Sequence, residues 1–179
     1  MASLLIRPAT AADAETVAAI HCESWRDAYA NVLDAAYLAG PVEQDRGDLW
    51  RGRLGSPVEE QVVLIADLPG TGPVGFICFY RDSDAQWGSL IDNLHVVPRM
   101  RGHAIGRQLM RAGAEVLRVG RAAPCGIHLW VFEANTGGRR FYERLGGRVV
   151  ERCLETELPV PPDTWILRVY WADPANLQA

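Results

Sequence analysis

The residues best suited to chemistry lie in one run, Leu90-Ile-Asp-Asn-Leu-His-Val-Val-Pro-Arg-Met-Arg-Gly-His-Ala-Ile-Gly-Arg-Gln-Leu-Met110. Between Arg101 and Gly106, small residues let the backbone turn close to a ligand. A helix that starts there leaves several amide N–H groups unbonded. With the helix dipole and Arg101, those amides make a site for an anion such as a phosphate. The turn is not a P-loop, because no Lys-Ser/Thr follows its glycines, and it lacks the three glycines of the G-x-G-x-x-G fingerprint. The flanking residues supply the elements that position it. Leu90, Ile91, Leu94, Val96 and Val97 are strand formers, and Pro98, with no N–H to give, ends the ladder. Past the turn, Ile105, Leu109, Gly113, Val116 and Leu117 recur at helical spacing, with Arg107, Gln108, Arg111, Glu115 and Arg118 mostly on the other face.

A second segment, Asn135-Thr-Gly-Gly-Arg-Arg-Phe-Tyr-Glu-Arg-Leu-Gly146, follows in the same order that a known family uses. The first turn resembles the acetyl-CoA signature of the GNAT N-acetyltransferases, Gln/Arg-x-x-Gly-x-Gly/Ala, with Arg101 first, Ala104 in place of a Gly, and Gly106 last. The second resembles that family's Asn-x-x-Ala-x-x-Phe-Tyr-x-x-x-Gly-Phe, matched at Asn135, Phe141, Tyr142, Leu145 and Gly146. Gly138 replaces the usual Ala, and Gly147 sits where the family often has Phe. Ala104 carries a Cβ that disfavours left-handed backbone, so negative φ is expected there.

The resemblance implies an α/β fold of the α+β kind. Its mixed, mostly antiparallel sheet of about seven strands splays into a V, flanked by about four helices. It implies that acetyl-CoA is the co-substrate and lies in the V between the Leu90–Val97 and Gly126–Phe132 strands. The pyrophosphate would rest on Arg101, Gly102, His103, Ala104, Ile105, Gly106 and Arg107, and the pantetheine on the backbone of Leu94, His95 and Val96, as an added strand would. A backbone N–H near Leu94–Val96 would polarise the thioester carbonyl. Asn135 would help hold the CoA arm, although a helix N-cap is the plainer reading of that residue. Tyr142 would donate a proton to the departing sulfur. The stretch from Ile20 to Leu38 is similar to the helical wall of the acceptor site, which makes Trp25 and Tyr29 candidate acceptor-binding residues; core packing is the alternative for both. The implied activity is transfer of acetyl to a small amine, an amino acid, or a peptide or protein amine. A non-catalytic acyl-CoA sensor is the alternative, and retention of Tyr142 favours the enzyme.

An aliphatic ammonium has a pKa of about 10.4, so an amine must lose a proton before it attacks. Asp92, Glu133, His95 and Glu23 are the residues that could take it, and ordered water could serve instead. Asp92 shares a strand face with Leu94 and Val96 because side chains alternate, and Glu133 ends the neighbouring strand. His21, His95, His103 and His128 show no metal-ligand spacing, so no metal is expected.

The remaining elements follow from pattern. Leu4–Arg7, Gln61–Asp67, Val74–Tyr80, Trp87–Val97, Gly126–Phe132, Arg148–Glu157 and Thr164–Trp171 read as strands. Helices are expected after Thr10 or Asp13, from Val42 to Leu54 with Pro41 interrupting before it, from the basic turn to about Gly120, and after Asn135. The last eight residues read as loose. With 179 residues, no repeat and no linker, the chain is expected to be one domain, residues 1–179. A net charge of −4 argues against nucleic acid as the partner, and no run is apolar enough to span a membrane. The N-terminus does not read as a signal peptide. Cys22, Cys78, Cys125 and Cys153 lack Cys-x-x-Cys spacing, which suits buried free thiols in a cytoplasmic protein. The sequence leaves a homodimer open.

Overall fold

The structure, a computed structural model, describes residues 3–119 and 126–177. Seven strands form one sheet in the order β1-β2-β3-β4-β5-β7-β6. β1 (Leu5–Pro8), β2 (Gln61–Leu68), β3 (Gly72–Asp84) and β4 (Gly88–Val96) are antiparallel neighbours in chain order. β5 (Ile127–Phe132) lies parallel to β4; β7 (Trp165–Trp171) is antiparallel to β5, and β6 (Arg148–Leu154) is the far edge. Among the described residues, five α-helices flank the sheet: α1 (Ala14–Ala28), α2 (Ala35–Ala39), α3 (Pro41–Gly55), α4 (Ile105–Arg118) and α5 (Thr136–Arg144). This is the mixed, mostly antiparallel open sheet that the sequence leads one to expect, with one helix more. The extra helix is α2, capped by Asp34, whose Oδ1 accepts from the amides of Ala36 and Tyr37. Pro41 does not merely interrupt; it begins α3, where a missing N–H costs nothing.

The two faces of the sheet are covered by different helices. Phe76 of β3 meets His21 of α1 and Trp50 of α3. Phe79, three residues on and on the opposite face, presses on α4 so closely that a Cβ on Gly113 would lie 2.0 Å from its ring. The run Val63–Ala66 is buried on both faces as a result.

One feature of the sheet makes the site. β4 and β5 pair at Ser89↔Ile127, Leu90↔His128 and Ile91↔Leu129, and there they part. At the parting point the β3–β4 register shifts between Cys78↔Asn93 and Phe79↔Ile91, leaving Asp92 as the extra residue of a bulge. Beyond it, β4 has no strand partner on its β5 side among the described residues.

The C-terminal segment corrects the sequence reading. The chain turns through a 3-10 helix at Pro174–Asn176 and buries Leu177 in the main core. Arg111 of α4 donates to the Leu177 carbonyl at 3.4 Å. Cys22 and Cys78 are buried free thiols and Cys153 is half-buried and free. Cys125 and the expected helix end near Gly120 lie outside the described residues.

Candidate active site

Where β4 and β5 part, a cleft of about 680 Å³ opens. Its walls come from four places: Leu94–Val96 of β4, the turn before α4, the helix α5, and the C-terminal half of α1.

The turn differs from expectation at one residue. Gly102 has φ +81° and Ala104 has φ +59°, so Ala104 is left-handed despite its Cβ. That conformation costs an L-residue about 1 kcal/mol. It places Ala104 at the N-cap of α4 with no side chain over the helix end. Ile105, Gly106 and Arg107, which supply the first-turn amides, therefore line the cleft. Gly106 also lets α5 approach, since a Cβ there would sit 3.2 Å from the Phe141 ring. Arg101 lines the cleft and is ion-paired to Asp27 of α1. Arg107 and Arg144 add positive charge to the same walls. His103 is not among the lining residues; its ring turns back on the carbonyls of Met100 and Arg101.

Tyr142 lines the cleft from α5, set edge-on against Phe141 at 5.2 Å and Trp171 at 6.0 Å. Burial, and the neighbouring Tyr29 phenol, raise its pKa well above that of a free phenol, so the hydroxyl is protonated at neutral pH. Trp171 explains one departure from the family pattern. A Cβ on Gly147 would lie 2.6 Å from both Trp171 and Val169. Trp171 thus occupies the space, and its Nε1–H closes the end of α5 by donating to the Leu145 carbonyl at 3.0 Å. Gly138 has a similar reason: a Cβ there would come within 2.7 Å of the Asn135 side chain. Asn135 is the N-cap of α5, accepting from the Gly138 amide at 2.9 Å, and it also lines the cleft. Burial raises the pKa of the Tyr29 phenol, and the neighbouring Asn135 side chain offsets part of that rise.

On α1, Ser24, Ala28 and Tyr29 line the cleft, whereas Trp25 does not. Trp25 is 6% exposed and packs with Cys22, Leu33, Leu38, Val42 and Phe132 in a second core cluster. Of the two candidate acceptor-binding residues, Tyr29 therefore lines the cleft and Trp25 packs in the core. In the β4 wall, His95 is largely buried, with Nδ1 3.0 Å from Ser24 Oγ and its ring stacked on His21 at 4.4 Å. Trp50 Nε1–H donates to His21 Nδ1 at 3.0 Å. Burial, aided by Arg101 and Arg46, pushes His95 down to about 3; His21 is likewise held far below its ordinary value, so both rings are neutral at pH 7.

The carboxylates proposed from sequence as proton acceptors lie elsewhere. Asp92 sits in the bulge and is held by Arg53 of α3 at 2.6 Å and by Asn93. Glu133 is bound by Arg152 through both oxygens, at 2.9 and 2.8 Å, and Glu23 pairs with Arg99. Asp92, Glu133 and Glu23 do not line the cleft; of the residues considered for this role, His95 does. Ser24, Ala28 and Arg144 were not legible as site residues. A signal for the first two existed: His21, Ser24 and Ala28 share one face of α1 at three- and four-residue steps.

Comparison with known proteins fits this geometry. The profile of the acetyltransferase (GNAT) family matches residues 17–147. The PaiA N-acetyltransferase of Thermoplasma acidophilum, solved in complex with coenzyme A, is 20% identical with a TM-score of 0.72, over 93% of this chain and 98% of its own. An Arabidopsis thaliana protein solved with a bisubstrate analogue is 18% identical with a TM-score of 0.65, over 94% of this chain and 97% of its own. A variant of the spermidine N-acetyltransferase SpeG of Vibrio cholerae is 12% identical with a TM-score of 0.69, over 98% of this chain and 96% of its own. At these identities the likeness shows the fold alone. No curated protein matches the sequence.

Proposed function

We infer the reaction from one premise: this chain belongs to the acetyltransferase (GNAT) family. We propose that it is an N-acetyltransferase that moves the acetyl group of acetyl-CoA to an amine by direct attack in a ternary complex. The observation that carries this reading is the cleft where β4 and β5 part, because it brings an anion-binding turn and a protonated tyrosine to one space. Acetyl-CoA, when bound, supplies the acetyl group as a thioester that an amine can attack. The residues present suit it. The first-turn amides of α4, with Arg101 and Arg107, would hold the pyrophosphate. The unpaired edge of β4 at Leu94–Val96 would take the amides of the pantetheine, and a backbone N–H there would stabilise the developing oxyanion. Asn135 would steady the arm, and Tyr142 would donate to the sulfur as it gains charge. The free thiols of Cys22, Cys78 and Cys153 support a reducing, cytoplasmic setting.

The test is release of CoA thiol from acetyl-CoA over a panel of amines, amino acids and peptides, beside calorimetry of acetyl-CoA binding. Release with at least one amine class is expected. Tight binding without release from any amine would overturn the enzyme and leave an acyl-CoA sensor.

A further inference from the structure

We propose that the acceptor is an amine of low basicity, such as the α-amine of a peptide or amino-acid amide, rather than a polyamine or a lysine side chain. This rests on the acetyltransferase reading above. Among the described residues, none of those that line the cleft is Asp or Glu. Four carboxylates near the cleft are each paired with an arginine: Asp27 with Arg101, Glu23 with Arg99, Asp92 with Arg53 and Glu133 with Arg152. The charges that do face the cleft, on Arg101, Arg107 and Arg144, are positive.

An ammonium entering this space would lose its hydration and meet no side chain of opposite charge, and the cofactor's phosphates would already be matched by the turn, which makes entry costly. Nor does the cleft hold a strong proton acceptor. His95 is buried, its Nδ1 is engaged by Ser24, and its ring is stacked on the neutral His21. The charged groups nearest to it are Arg46 of α3 and Arg101 of the turn, and both oppose a second positive charge. The amine must therefore shed its proton to bulk water before it binds.

A neutral amine needs no net proton acceptor. Its lone pair forms the C–N bond, and the C–S bond breaks with its electron pair left on sulfur. Sulfur takes the phenolic proton of Tyr142, and the proton surplus to the new amide returns to that phenol through cleft water. What the site can use is the neutral fraction. A terminal α-amine has a pKa of about 7.7–8.0 and an alkyl amine about 10.4, so at pH 7.5 the first offers roughly 200 times more neutral amine.

The test compares a peptide with a free N-terminus, a peptide with an acetylated N-terminus and one lysine, and spermidine, by kcat/KM for CoA release from pH 6.5 to 9.5. The α-amine should lead by at least tenfold at pH 7.5, and the gap should narrow as pH rises. Ala28→Glu, which adds a carboxylate to the half-buried α1 wall, should shrink that lead severalfold. An alkyl amine that matches or beats the α-amine at pH 7.5, or an unchanged ratio in the variant, overturns the proposal. Release from no amine at all overturns the acetyltransferase reading, and this inference with it.

Discussion

In the reaction proposed, the phenol of Tyr142 serves as a hydrogen-bond donor before it serves as an acid. A CoA-type thiol has a pKa of about 8.5 and a free phenol about 10, so full proton transfer is uphill by about 2 kcal/mol, and the raised value of Tyr142 makes it more so. The sulfur gains charge only as its bond breaks, so loss of the donor acts on kcat. Tyr142→Phe is expected to lower kcat about 10²-fold with acetyl-CoA affinity nearly unchanged, read by steady-state kinetics beside a binding titration. Trp25→Ala is expected to cost about 3–5 kcal/mol in chemical denaturation, as for a buried aromatic, without raising the acceptor KM. A raised KM at full stability would return Trp25 to the site. Tyr142 was legible because its motif fixes its place on a helix. Trp25 and Tyr29 were not separable, because aromatics four apart share one helical stripe and the stripe does not say which of them the next layer covers. Alternation put Asp92 on the face of Leu94 and Val96, but the bulge and an arginine from α3 claimed its carboxylate.

In the complex proposed, the turn before α4 acts through its backbone. Ala104→Gly should remove the left-handed penalty and raise stability by up to about 1 kcal/mol, set against the greater freedom of glycine in the unfolded chain. A loss of more than about 1 kcal/mol in a denaturant titration, beyond what the freedom of glycine accounts for, would contradict the φ of Ala104. Arg101→Ala should weaken binding of CoA more than that of dephosphorylated pantetheine, by calorimetry; an equal loss for both would move the pyrophosphate elsewhere. The elements themselves were nearly all readable, since each strand and helix carries its own periodicity and its own stops. The exceptions have long-range causes. Leu177 is ordered by α4, more than fifty residues earlier, and no local pattern at the C-terminus reports that. The φ of Ala104 is likewise set by what the strand before it and the helix after it require.

At the scale of the molecule, three buried histidines couple the fold to acidity. His21, His95 and His128 all have pKa values below the ordinary 6.5, His95 at about 3 and His128 at about 4, chiefly through burial. Below about pH 6.5 the unfolded chain therefore binds protons that the fold refuses. Their contribution is intact above that pH and is lost as pH falls toward 4, with a slope approaching three protons, or about 4 kcal/mol per pH unit. Thermal unfolding from pH 7 to pH 5 should show a steep fall in Tm, and His95→Gln should make it shallower by about one proton. A flat Tm over that range would mean the rings are solvated. The parting of β4 from β5 has a consequence for colloidal behaviour. An unpaired strand edge is where chains adhere to one another. This molecule keeps such an edge in the cleft walled by α1 and α5, where the ligand arm proposed above would fit and a neighbouring sheet would not. Whatever fills the notch also shields it, so a solution saturated with CoA should stay clear on heating to temperatures at which the ligand-free protein turns cloudy.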